Sequence, residues 1–209
     1  MNDFVTDGGF DTMLRARLGN AARVLEPGRG FYIWAGYANC ANYPSALKEC
    51  GLYFSQAIIW DKEHPVLTRK DFMGAHEWRF YGSKEGGPHQ FLGPANATDL
   101  RHVKKINPQS LVHLTAKPVE LARRANEFSS RRGENVLDLL GGSGSSLIGA
   151  HETGRHAFLM ELDPLYVDVI LKHYQTFTGE PAVLECGSTF DAVAAERSVT
   201  DGTGHSDSV

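Results

Sequence analysis

Cysteine is scarce in this chain: of 209 residues only Cys40, Cys50 and Cys186 carry a thiol. An odd count with no metal-ligand spacing excludes a disulfide framework or a zinc module and points to free thiols in a reducing cytoplasm. No apolar run is long enough to cross a bilayer, so no membrane partner is expected. The opening stretch Met1-Asn2-Asp3-Phe4-Val5-Thr6-Asp7 is polar and acidic, unlike a secretory leader. Positive charge is not in excess: 21 Lys and Arg face 25 Asp and Glu, a formal net charge of −4, which argues against a dedicated nucleic-acid binder. A basic run from Arg101 to Arg132, opposed mainly by Glu120 and Glu127, reads as a solvated face that permits phosphate contact without specifying it. His76-Glu77 lacks the second histidine of a zinc-protease helix and reads as a strand start.

Periodicity supplies the architecture. Apolar residues at helical spacing predict a helix over Phe10–Leu25, stopped by Pro27-Gly28, and a short buried strand follows over Phe31–Trp34. A helix over Tyr43–Cys50 and strands over Gln56–Lys62 and Glu77–Tyr81 come next. Residues 83–109, rich in Gly, Pro and His, have no clear period and read as a loop or small insertion. Beyond them strands and helices alternate: helix Pro118–Ser129, strand Asn135–Leu139, helix Ser145–Glu152, strand His156–Glu161, helix Pro164–Phe177 and a third strand Ala182–Glu185. The polar tail 198–209 reads as disordered. Such alternation implies one α/β domain over residues 1–197, with a mostly parallel sheet covered by helices on both faces. Trp34 and Trp60, at strand ends, read as core anchors.

The most informative segment is the glycine turn Gly141-Gly142-Ser143-Gly144, set between an apolar strand and a helix. Its glycines let the backbone take positive φ and approach a ligand closely, and the helix start offers N–H donors to an anionic group. Glu161, at the end of the next strand, is placed to accept the hydroxyls of a ribose. The loop is not a dinucleotide fingerprint, because Leu147 stands where Gly-x-Gly-x-x-Gly, counted from Gly142, wants its last glycine. Asp138 just before the turn would repel a pyrophosphate and suits a cofactor bearing a positive charge, such as the amino group of S-adenosylmethionine.

At these residues the chain resembles the bacterial and phage site-specific DNA methyltransferases of the N6-adenine/N4-cytosine type, in the class whose cofactor half follows its catalytic half. Asp138-Leu139-Leu140-Gly141-Gly142-Ser143-Gly144-Ser145 resembles that family's Asp-Pro-Phe-x-Gly-Ser-Gly-Thr, with Leu140 in place of Phe. Glu161-Leu162-Asp163-Pro164-Leu165-Tyr166 resembles its Glu-Leu-Asp-Pro-x-Tyr. His113-Leu114-Thr115-Ala116-Lys117-Pro118 resembles a His-Pro-Thr-x-Lys-Pro stretch, with Leu114 in place of Pro, and Val24–Trp34 resembles a helix-to-strand segment of the family. The resemblance implies a Rossmann-like S-adenosylmethionine-dependent methyltransferase sheet. It implies cofactor contacts at Asp138, Gly141, Gly142, Ser143, Gly144, Ser145 and Glu161, with Thr115 and Lys117 at the methionine end. It implies methyl transfer to adenine N6 or cytosine N4 in double-stranded DNA, as in restriction-modification.

The family acts through an Asp/Asn/Ser-Pro-Pro-Tyr/Phe loop that these residues do not contain. Such a loop accepts the hydrogens of the exocyclic amine and stacks on the flipped base. Asp163-Pro164-Leu165-Tyr166 is no substitute: Asp163 reads as a helix cap and Pro164 as the first helical position. The sheet is therefore expected to lack one central strand, beside Asn135–Leu139, as in an N-terminally shortened enzyme that is weak or inactive alone and carries no catalytic residue. Self-association or a partner chain would complete the sheet. A non-catalytic remnant that binds cofactor or a partner, and a methyltransferase of small molecules or proteins, stand as alternatives.

Overall fold

The computed structural model describes residues 7–68, 71–106 and 117–202. Helix α1 (Asp7–Val24) leads into strand β1 (Gly30–Ala35), a 3-10 turn over Tyr37–Asn42 and helix α2 (Tyr43–Glu49). A long hairpin of β2 (Leu52–Val66) and β3 (Gly74–Lys84) follows, then the three-residue strand β4 (Leu100–His102). The second part comprises α3 (Val119–Ser129), β5 (Asn135–Asp138), α4 (Ser145–Thr153), β6 (His156–Leu159), α5 (Pro164–Thr178) and α6 (Phe190–Gly202).

These strands form two sheets rather than one. The larger has the order β1-β3-β2-β4, with β3 antiparallel to both β1 and β2 and β4 parallel to β2. The smaller is the parallel pair β5-β6, in the register Leu137 to Phe158 and Asp138 to Leu159. The expectation of a mostly parallel sheet is thus corrected to a mixed one, because the β2-β3 hairpin turns the chain back on itself. Among the described residues β1, β4, β5 and β6 each pair along one edge only.

Strand alternation gives the large sheet two apolar faces. Leu14, Leu18 and Ala22 of α1 pack with Tyr43, Ala46 and Leu47 of α2 over Leu52 and Phe80 on one face. On the other, Trp60, Val103 and Leu121 of α3 form a second core with Trp34 against it. Trp60 donates its indole N–H to the Val103 carbonyl at 2.7 Å and meets Trp34 edge to face. Both tryptophans are core anchors.

Helix α3 also joins the two sheets. Its far side meets α4 so closely that a Cβ on Gly149 would lie 2.9 Å from the Arg123 nitrogen and 3.0 Å from the Ala122 Cβ. The Arg29–Glu134 ion pair (3.0 Å) and Arg155, which donates to the hydroxyl of Ser130 at 3.2 Å, tie the same junction together. The opposite face of β5-β6 is bare: Leu137 and Phe158, paired across the ladder, are 45% and 56% exposed. Among the described residues, helices cover both faces of the large sheet and one face of the small one.

Three other expectations change. Within the expected loop 83–109, the described residues 83–106 include the end of β3 and the strand β4, which pairs with β2. Ala182–Glu185 is not a sheet strand. The segment folds into a tight turn in which the Leu184 N–H donates to Ser188, Gly187 takes φ 89° and Val183 makes a lone antiparallel bridge to Thr189. Finally, α6 runs to Gly202, through the first residues of the tail expected to be disordered.

Candidate functional site

The glycine turn is held by the strands on either side of it. The Gly141 N–H donates to the Met160 carbonyl at 2.8 Å, and the Met160 N–H to the Asp138 carbonyl at 2.8 Å, so the β5-β6 ladder continues into the turn. Gly142 and Gly144 take φ 56° and 80°, conformations that favour glycine. A Cβ on Gly141 or Gly144 would press on Ile170 of α5, at 3.0 and 3.1 Å respectively. Gly144 then serves as N-cap of α4 without a side-chain cap, so the first turn of that helix presents its N–H groups at the bend. His173 of α5 contacts the Ser143 carbonyl at 2.9 Å through Nδ1.

Both flanking carboxylates converge on this turn. Asp138 accepts the Leu140 N–H at 3.0 Å through Oδ1 and the Ser146 hydroxyl at 2.5 Å through Oδ2. Glu161 accepts the Gly142 N–H at 2.9 Å through Oε2, and those of Leu162 and Asp163 at 2.8 and 3.1 Å through Oε1. Asp163 accepts the Leu165 N–H at 2.9 Å and caps α5, with Pro164 in the first turn, the cap expected from sequence. Asp138, Gly141, Gly142, Ser143, Gly144, Ser145 and Glu161 therefore come together at the carboxyl ends of two parallel strands, where open α/β sheets bind ligands.

Lys117 sits with a different group. Its Nζ lies 3.0 Å from Glu77 Oε2 on β3, while Lys62 Nζ lies 3.0 Å from Glu77 Oε1. Lys117 also stands over the rings of Trp34 and Trp60, at 5.4 and 5.9 Å. Burial pushes the Glu77 carboxyl up, and the two ammonium groups of Lys117 and Lys62 outweigh it, so the carboxyl ends below its ordinary value. Lys117, Glu77, Trp34 and His76 line a cleft of about 240 Å³ at the end of β1. Thr115, expected beside Lys117, lies outside the described residues, as do His113 and Leu114.

Two residues at the turn escape a reading by motif. Ser146, rather than Ser145, bonds Asp138, and His173 reaches Ser143 from α5. Ser146 sits two positions past the last glycine, so its side chain returns over the turn N-terminal to its own Cα; that helical direction was the available signal. Nothing local in sequence marks His173.

The family model described as DNA methylase matches residues 1–172. The chain belongs to the DNA methylase family. Among curated members, type II methyltransferase M.BglII of Bacillus subtilis is 23% identical over 198 residues, covering 76% of this chain and 54% of its own length. Type II methyltransferase M1.MboII of Moraxella bovis is 24% identical over 185 residues, covering 69% of the chain and 71% of its own. This family member thus spans about half the length of the first of these relatives. The crystal structure of an M1.HpyAVI–SAM complex superposes with a TM-score of 0.71 at 20% identity, covering 78% of this chain and 83% of that one. The cytosine-N4-specific PvuII DNA methyltransferase does so with 0.69 at 14% identity, covering 81% and 72%. At such identities the solved structures establish the shared fold.

Proposed function

We propose that this DNA methylase family member holds S-adenosylmethionine at the Gly141–Gly144 turn and forms part of an enzyme that methylates an exocyclic amine, adenine N6 or cytosine N4, in double-stranded DNA. The observation that carries this is the convergence of Asp138 and Glu161 on one positive-φ turn at the carboxyl ends of β5 and β6. The site suits the cofactor: close backbone approach is available at the glycines, helix N–H groups face the bend, and two carboxylates flank it. Glu161 would take the ribose hydroxyls, Asp138 would favour the cationic end, and Gly141, Gly142, Ser143, Gly144 and Ser145 would supply backbone and hydroxyl contacts. Lys117, with Thr115, would lie toward the methionine end. The group supplies an electrophilic methyl when bound; the chain's own residues position and desolvate it.

Residues 1–209 contain no Pro-Pro-Tyr loop, so catalysis would draw on a segment outside them, in the same polypeptide or another. The unpaired edges of β1 and β5 would receive a strand, and the bare Leu137–Phe158 face a helix. The test is calorimetry with S-adenosylmethionine alongside tritiated methyl transfer to undermethylated duplex DNA. Binding that drops tenfold or more in Glu161→Gln, without methyl transfer by residues 1–209 alone, is the expected result. Absence of binding in the folded protein overturns the cofactor reading, and methyl transfer by these residues alone overturns the need for a further segment.

A further inference from the structure

The underside of the large sheet carries a second, half-open cavity of about 330 Å³, between β1, β2, β3, α3 and the segment leading into β4, and it does not touch the glycine turn. Arg79 and Arg101 line it, with Tyr32, Tyr81, Arg124 and Phe128. Arg79 points from the middle of β3 toward α3 and is 4% exposed. Its Nη1 donates to the Leu121 carbonyl at 3.1 Å, and its Nε is buried with no hydrogen-bond partner. Arg101, 8% exposed, gives its Nη1 to the carbonyls of Thr98 and Leu100.

Among the described residues neither guanidinium makes an ion pair. Asp99 acts on Arg101 only from beyond ion-pair distance, and Glu120 is committed to Arg124. A buried guanidinium without a counter-charge is costly, because desolvation is not repaid by a partner. Burial pushes the Arg79 side chain down, to about 10, with Tyr32 opposing it and the neighbouring Arg101 adding a smaller downward effect. Two such groups at one cavity, one with a donor left over, make a site short of an anion.

The walls narrow the choice of anion. Tyr32 and Tyr81 lie with ring centroids 4.9 Å apart, Arg79 stacks 4.6 Å from the Tyr32 ring, and Arg101 lies 5.5 Å from the ring of Phe128. The volume exceeds what a bare oxyanion fills and falls in the range of small-molecule sites. We infer that this cavity is a binding site for an aromatic phosphomonoester, its phosphate on the Arg79 and Arg101 guanidiniums and its ring against Tyr32, Tyr81 and Phe128. Forked N–H donors suit phosphate oxygens better than a point charge does, and the flat rings receive a planar group. This site is independent of the proposed cofactor cradle.

Calorimetry of the whole chain with phenyl phosphate, inorganic phosphate and phenol, at matched ionic strength, tests it. Saturable binding of phenyl phosphate, at least tenfold tighter than either half, is expected, with a tenfold or greater loss in Arg101→Gln and Arg79→Lys. Arg79→Lys keeps the charge while removing the fork, and its circular dichroism is compared with the parent so that unfolding is not read as lost affinity. S-adenosylmethionine binding should be unchanged in both variants. No saturable binding by the parent, or undiminished affinity in folded Arg101→Gln, overturns the inference, as does equal binding of phenol.

Discussion

Replacing Gly149 by alanine sets two forces of similar size against each other. In a helix interior alanine is better than glycine by about 1 kcal/mol, and Gly149 lies in the middle of α4. Against that, the new methyl would sit 2.9 Å from the Arg123 nitrogen, 3.0 Å from the Ala122 Cβ and 3.2 Å from the Ala122 carbonyl carbon. These are atoms of the α3 main chain or fixed to it, so none can swing aside, and overpacking of this kind costs about 1–3 kcal/mol. The expected net effect is a loss of about 1 kcal/mol. Gly19→Ala in α1 is the matched control: nothing lies within 4 Å of its added Cβ, so it should gain about 0.5–1 kcal/mol. The two variants should therefore differ by about 2 kcal/mol, or roughly 4–8 °C in melting midpoint for a chain of this length. Urea denaturation followed by circular dichroism measures both. A Gly149→Ala protein as stable as the parent, beside a stabilised Gly19→Ala, would refute the close α3–α4 contact that joins the two sheets.

Leu121→Ala, at a side chain 2% exposed between Trp60 and Val103, should cost about 2–5 kcal/mol in the same urea titration. Glu77 titrates below its ordinary value of 4.5, so its contribution is present above that value and is lost as pH falls through the lower folded value. Stability measured from pH 7 down to 3 should accordingly fall less steeply in Glu77→Gln, which starts from a lower value at pH 7; parallel curves would contradict the paired lysines. Cys186 is exposed and hydrogen bonding with Ser188 lowers its thiol, whereas burial raises that of Cys50. A thiol-specific disulfide reagent near pH 8 should show a fast phase that Cys186→Ser removes, and persistence of that phase would assign it elsewhere.

Where a pattern is local, the sequence carried it. The apolar spacing behind Phe10–Leu25 gives α1, Pro118 and the Ser129 region bound α3, and Asp163-Pro164 starts α5. The glycine turn and its two carboxylates were legible because strand, turn and helix follow each other directly in the chain. Features set by long-range pairing were not. The antiparallel path of β3 depends on which strands neighbour it, and β4 has three residues with no period to detect. Ala182–Glu185 has strand composition, but its local turn bonds win over sheet pairing. Lys117 stood out only through the resemblance of its His113–Pro118 stretch, while its partner Glu77 stands 40 positions earlier and meets it only through the packing of α3 on the sheet. The buried Arg79 looks in sequence like any strand arginine.

The grip of Glu161 on the Gly142 amide means the bend is shaped before anything enters it. Under the proposed function, an entering nucleoside would meet a carboxylate already in place and spend little entropy moulding the loop, and loss of that one side chain would loosen the bend even in the empty protein.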